Sequence, residues 1–193
     1  MEEITNIFKQ RNFDAIRITG GEPFLRNDLA EVINTIQHYS KPKMMHITSN
    51  GILTNKILSV VNKLEKTDNL HIKISIDAVG KKHDKIRGVT GAYQKAIKTV
   101  QELAKLKEKF NFYVAINQLI LDESGFDDYW KLKKVCKKFN VPLQVAFAYT
   151  KVALYEEKKN LSLMPKGGNR FPGLFDFPNE EKVKLSKSFK EIA

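Results

Sequence analysis

Five short groups of polar residues carry the chemistry this sequence has to offer. The first is Gly20-Gly21-Glu22-Pro23. Paired glycines let a ligand approach the backbone, and Glu22 can accept hydrogen bonds from an ammonium group. The same four residues also suit a tight strand-to-helix turn with a solvated glutamate. The second, Thr48-Ser49-Asn50-Gly51, ends in an Asn-Gly turn signal. In the third, Ser75-Ile76-Asp77, a period of two puts Ser75 and Asp77 on one strand face, where buried polar groups need partners. Asp77 would otherwise cap whatever follows. The fourth is His83-Asp84 with Arg87-Gly88. An arginine there suits a bidentate carboxylate clamp, or else a surface ion pair with Asp84. The fifth is Asn117, set among Val114, Ile116 and Leu119. An amide in an apolar strand needs a partner or faces a cavity. Glu22 and Asp77 together could serve acid–base hydrolysis, but nothing near them reads as a glycoside or metal recognition motif.

These groups sit at regular places. Apolar runs at 15–19, 44–48, 70–76, 112–121 and 142–148 read as strands. Between them lie helical stripes: Leu29, Val32, Ile33 and Ile36 after Asp28; Ile57, Leu58, Val61 and Leu64; Ala96, Ile97, Val100, Leu103 and Ala104; and Phe126, Tyr129, Trp130 and Phe139. A new strand every ~30 residues is the spacing of βαβ units. Hairpin signals are absent, so the sheet is parallel, either open and doubly wound or curled into a barrel. In both, the polar groups fall at the C-terminal strand ends, where parallel α/β folds bind ligands. Ile4, Ile7 and Phe8 form a helix ahead of the first strand, so a strand that would precede it is expected to be missing. The core domain is expected over 1–149. The remainder, 150–193, reads as an extension packing on it, with Asn179 capping a last helix.

Composition narrows the class. The chain has 193 residues, 42% hydrophobic and 28% charged, which suits one globular domain. Its net charge is +11, carried mostly by lysines scattered over helices, as in Lys95, Lys98, Lys105, Lys107 and Lys109. Scattered lysine without interleaved aromatics argues against nucleic-acid binding, although it would attract an acidic partner. No apolar run is long enough to span a membrane, and no apolar leader opens the chain. With a single cysteine, Cys136, there is no disulfide framework. These features point to the cytoplasm.

Four of the segments together resemble the radical S-adenosylmethionine (radical SAM) superfamily, in its sulfatase-maturing and peptide-modifying subgroup. They are Ile18-Thr19-Gly20-Gly21-Glu22-Pro23-Phe24-Leu25-Arg26, Thr48-Ser49-Asn50-Gly51, Ser75-Ile76-Asp77 and His83-Asp84-Lys85-Ile86-Arg87-Gly88. The resemblance runs from Met1 to Tyr149. It implies a partial parallel (β/α)6 TIM-like barrel, here without its first strand. It also implies that Gly20, Gly21 and Glu22 receive the methionine amino group of S-adenosylmethionine, with Pro23 beside them in the cofactor site. Ser75 and Arg87 would approach the carboxylate or ribose, while Asp77, Asn50 and Asn117 would line the cavity. In the family a [4Fe–4S] cluster passes one electron to the sulfonium, giving a 5′-deoxyadenosyl radical that attacks substrate. Its motif is C-x3-C-x2-C, and this chain has no such motif, so no metal ligand and no catalytic residue is assigned. The expectation is a truncated piece of such an enzyme, with a peptide or protein as substrate. The alternative is a cluster-free module of that fold that binds a peptide or protein. Ala78 departs from the glycine that often follows the family's aspartate.

Overall fold

The structure is a computed structural model, and residues 1–120 and 124–147 are described. Five strands form one sheet: β1 (Ala15–Ile18), β2 (Met44–Ser49), β3 (Leu70–Ser75), β4 (Tyr113–Ile120) and β5 (Leu143–Phe147). All neighbours pair in parallel, and their spatial order is their chain order. That order separates the two closures open to the sequence. A doubly wound sheet reverses its strand order at a switch point. Here it never reverses, so right-handed crossovers lay every connecting helix on the same face and the sheet curls as a barrel wall.

The helices are α1 (Glu2–Gln10), α2 (Leu29–Tyr39), α3 (Thr54–Asn62), α4 (Lys81–Arg87), α5 (Ala92–Leu106) and α6 (Gly125–Phe139). Alternation along β2 and β3 buries Met45, Ile47, Leu70, Ile72 and Ile74 against them. The helices answer with the predicted stripes: Leu29, Val32, Ile33 and Ile36 from α2, Ile57 and Val61 from α3, and Ala96, Val100 and Leu103 from α5. Each such aliphatic side chain contributes about 1.5–3 kcal/mol on burial. The core therefore lies between sheet and helices, which leaves the other sheet face free to carry polar residues.

Local chemistry explains several element ends. Asp28 sits at the N-terminus of α2 but makes no capping bond, because its carboxylate grips Arg26 through two bonds of 2.6 and 2.8 Å. The helix α6 stops at Asn140 in the left-handed conformation, which asparagine tolerates. The helix α4 was not legible as a helix. It is seven residues long, begins after Gly80 and ends at a left-handed Gly88. Among the described residues no helix is long and apolar enough to cross a membrane. The expected extension over 150–193 lies outside the described residues.

Candidate functional site

The strand ends bring the expected residues to one rim of the sheet, in two corners of different construction. The corner after β1 and β2 is built around Glu22. Its Oε1 accepts the Ser49 hydroxyl at 2.9 Å and the Phe24 amide at 3.2 Å, and its Oε2 accepts the Asn50 amide at 2.7 Å. Pro23 opens a 3-10 turn, Pro23–Leu25, that drops Phe24 into the core. Ser49 Oγ in turn accepts the Gly51 amide, and Asn50 Oδ1 accepts the Ile52 amide. Glu22 thus ties the loop after β1 to the turn after β2. Gly51 is held from the far side by Thr99 of α5, whose hydroxyl donates to the Gly51 carbonyl at 2.6 Å and meets Thr54 Oγ1 at 2.7 Å. A Cβ on Gly51 would come within 2.6 Å of Ile74 Cγ2, and the residue has φ +73°, so only glycine serves there. Gly20 and Gly21 differ from it. Among the described residues a Cβ on either would meet nothing within 4 Å, so their backbone faces open space, while Gly20 alone of the two has a φ, +150°, that favours glycine.

The corner after β3 and β4 is closed. Asp77 is 6% exposed, and its Oδ2 pairs with Arg87 Nη2 at 2.7 Å. Its Oδ1 accepts the Leu119 amide, and its own amide donates to His83 Nδ1 at 3.2 Å. Arg87 pairs with Asp77 rather than with Asp84, the neighbour three residues before it. Asp84 instead accepts the Gly91 and Tyr93 amides, which hold its carboxyl below the usual aspartate range. His83 is fully enclosed. Burial and then the Arg87 charge push its imidazole below the ordinary histidine range, so Nδ1 stays free to accept. The buried Gln118 donates to the carbonyls of Asp77 and Gly125. Asp128 of α6 accepts the Val79 amide and the Lys82 ammonium.

Ser75 and Asn117 lie between the corners as register partners on adjacent strands. The Asn117 amide makes no side-chain hydrogen bond among the described residues. The structure therefore gathers Gly20, Gly21, Glu22, Pro23, Asn50, Ser75, Asp77, Arg87 and Asn117 along one rim. It also shows that Glu22 and Asp77 are each already committed, to the two turns and to Arg87, which removes them as a free acid–base pair. Thr99, Gln118 and Asp128 were missed. Each is a polar residue inside an otherwise apolar pattern, and Thr99 reads simply as part of a helix stripe.

A [4Fe–4S] cluster does not fit these residues. Cys136 is 4% exposed on α6, and burial pushes its thiol up to about 11, far from a ligating thiolate. Among the described residues no three His, Cys, Asp or Glu side chains group as metal ligands. S-adenosylmethionine does fit. The bare Gly20-Gly21 backbone leaves room for a ligand, and among the described residues Arg87 Nε is buried without a partner.

Comparison with known proteins gives the family and the fold. The family model for the Radical SAM superfamily matches residues 1–141. A probable GTP 3',8-cyclase of Pyrococcus abyssi is 27% identical over 148 residues, covering 75% of this chain and 44% of that protein. A GTP 3',8-cyclase of Alkaliphilus oremlandii is 35% identical over 111 residues, covering 55% of this chain and 33% of that protein. The chain thus spans less than half the length of these curated relatives. Among solved structures, Streptococcus suis SuiB bound to S-adenosylmethionine superposes with a TM-score of 0.68 at 20% identity, covering 99% of this chain and 39% of SuiB. anSMEcpe with bound AdoMet and a peptide gives 0.57 at 16% identity, covering 84% of this chain and 46% of that one. At such identities the structural likeness concerns the fold.

Proposed function

This chain belongs to the radical SAM superfamily, and on that premise we propose that it forms the S-adenosylmethionine-binding wall of such an enzyme. The observation that carries the proposal is the open Gly20-Gly21 backbone beside a turn that Glu22, Ser49 and Asn50 lock in place. The carbonyl oxygens of Gly20 and Gly21 take the methionine ammonium. Glu22 acts mainly by holding that loop against Asn50, and Pro23 fixes the direction of exit. Arg87, oriented by Asp77, faces the methionine carboxylate or the ribose, with Ser75 beside it. Asn50 and Asn117 line the cavity between. When bound, S-adenosylmethionine supplies a sulfonium whose reductive cleavage yields a carbon radical. With a single cysteine, Cys136, these residues do not offer the three thiolates that hold the family's cluster.

Substrate support points two ways. The peptide expectation rests on neighbours that share the fold, whereas the sequence relatives above are named for GTP. Calorimetric titration with S-adenosylmethionine tests the binding proposal. A saturable single site, displaced by S-adenosylhomocysteine, is expected, and heats that never saturate would overturn it. Anaerobic reconstitution with iron and sulfide tests the second part. No stoichiometric cluster is expected on this chain, and a bound [4Fe–4S] absorbance would contradict the account.

A further inference from the structure

The sheet face turned away from the helices carries its own pattern, lower on the strands than the rim. Arg17, His46, His71 and Tyr113 are successive register partners across β1, β2, β3 and β4. The rings confirm that the row shares one face: His46 and His71 lie 4.9 Å apart, and His71 and Tyr113 lie 4.8 Å apart. Lys73, two residues above His71, follows on the same face by strand alternation. Among the described strand residues no carboxylate shares this face. Among the described residues, two atoms there, His46 Nδ1 and Thr48 Oγ1, are buried without any hydrogen-bond partner. Buried polar groups are nearly always paired, so an orphan pair beside uncompensated cations marks a place where a ligand's acceptors are missing.

We propose that this face is a phosphate-binding site, taking the phosphate groups of a small phosphorylated molecule between Arg17, Lys73 and the two imidazoles. Phosphate suits it better than a single carboxylate. The side chains offered are two fixed cations, two imidazoles and the Thr48 hydroxyl, a set rich in donors that needs an acceptor with several oxygens. The electrostatics agree. Burial, then Lys73 and neighbouring positive charge, depress both imidazoles, as a site waiting for an anion would. Among the described residues the groups facing them are Arg17 from β1, Lys73 from β3 and the Tyr113 phenol from β4, none of them acidic. A bound phosphate reverses that field, so binding takes up protons and tightens as pH falls through the histidine range. The site stands on the sheet face alone and does not depend on S-adenosylmethionine binding at the rim.

The chain has four histidines, which makes the test direct. Pyrophosphate is titrated at constant ionic strength while the imidazole resonances are followed by NMR. His46 and His71 should shift together and saturate. His38, on the outside of α2, and His83, enclosed under Asp77, should stay. Arg17→Met and Lys73→Met should each weaken binding at least tenfold, whereas Lys133→Met on the outer surface of α6 should leave it unchanged. Equal movement of His38 would mean diffuse attraction to a basic chain and would overturn the site. So would the absence of any shift at His46 and His71, or equal affinity for citrate, which would replace phosphate with carboxylate chemistry. Titration with S-adenosylmethionine in the same samples reports the rim separately, so either proposal can fail while the other stands.

Discussion

The two corners of the rim solve the same problem in opposite ways. Both hold a carboxylate at the end of a parallel strand. At the β3–β4 corner, Asp77 is buried, paired with Arg87 and bonded to Leu119, and its strand end is closed before any ligand arrives. At the β1–β2 corner, Glu22 is only half-buried and spends its oxygens on two neighbouring turns, leaving Gly20 and Gly21 bare. The difference separates support from reception. A closed corner supplies stiffness and a fixed cation, and an open one supplies the surface a ligand completes. The comparison predicts where a mutation will cost stability and where it will cost only binding.

The largest effect should come from Gly51→Ala, which attacks the support beneath the open corner. A side chain there must adopt a left-handed conformation and push into Ile74 and Ala96. Conformational strain plus overpacking should destabilise by about 2–4 kcal/mol, read from urea unfolding. Little change would mean that the β2 turn can relax without Thr99. Next is Asp77→Asn, which leaves Arg87 without its counter-charge. Loss of one partner of a fully buried pair costs more, but the Arg87 side chain is 31% exposed, so about 2 kcal/mol is expected. S-adenosylmethionine affinity should fall as well, since Arg87 loses its orientation. Thr99→Val removes the bonds to Gly51 and Thr54 and should cost about 1–2 kcal/mol in the same assay.

Acid should distinguish the corners more gently. Asp84 has a folded-state pKa below its unfolded value, because it accepts the Gly91 and Tyr93 amides. Its stabilisation is therefore complete above the unfolded value of about 4 and is lost as pH falls further. His83 has the same sign: its depressed folded value means that stability declines as pH drops below about 6.5, where the unfolded chain takes up the proton first. Chemical unfolding followed from pH 7 to 3 should show a first decline that His83→Gln removes and a later one that Asp84→Asn removes. A curve unchanged in either variant would show that the α4 turn is not acid-sensitive through these groups.

Much of this was legible in the residues. The strand–helix alternation rests on strong periods of apolar side chains, and each predicted strand appears within a residue or two of its place. The rim residues were legible because glycine, asparagine and arginine stand out at strand ends. Partnership was the illegible part. Nothing local tells Arg87 to choose Asp77 over Asp84, because that choice depends on how β3, β4 and α4 meet in space. The helix α4 escaped for a related reason, being too short for a period and bounded by glycines. Thr99 escaped because a buried threonine in a helix stripe looks like any other small core residue. The basic row on the inner sheet face needed strand register, which no single segment encodes.

The most direct test of the central claim is Gly21→Ala, measured for S-adenosylmethionine binding beside the unaltered chain. Apart from its chain neighbours the added methyl meets no atom of the described residues within 4 Å, so the melting curve should not move. If the backbone of Gly21 receives the methionine end, affinity should fall at least tenfold while the fold stays intact. Unchanged affinity in a fully folded Gly21→Ala protein would contradict the account, because the open corner would then not be where the ligand binds.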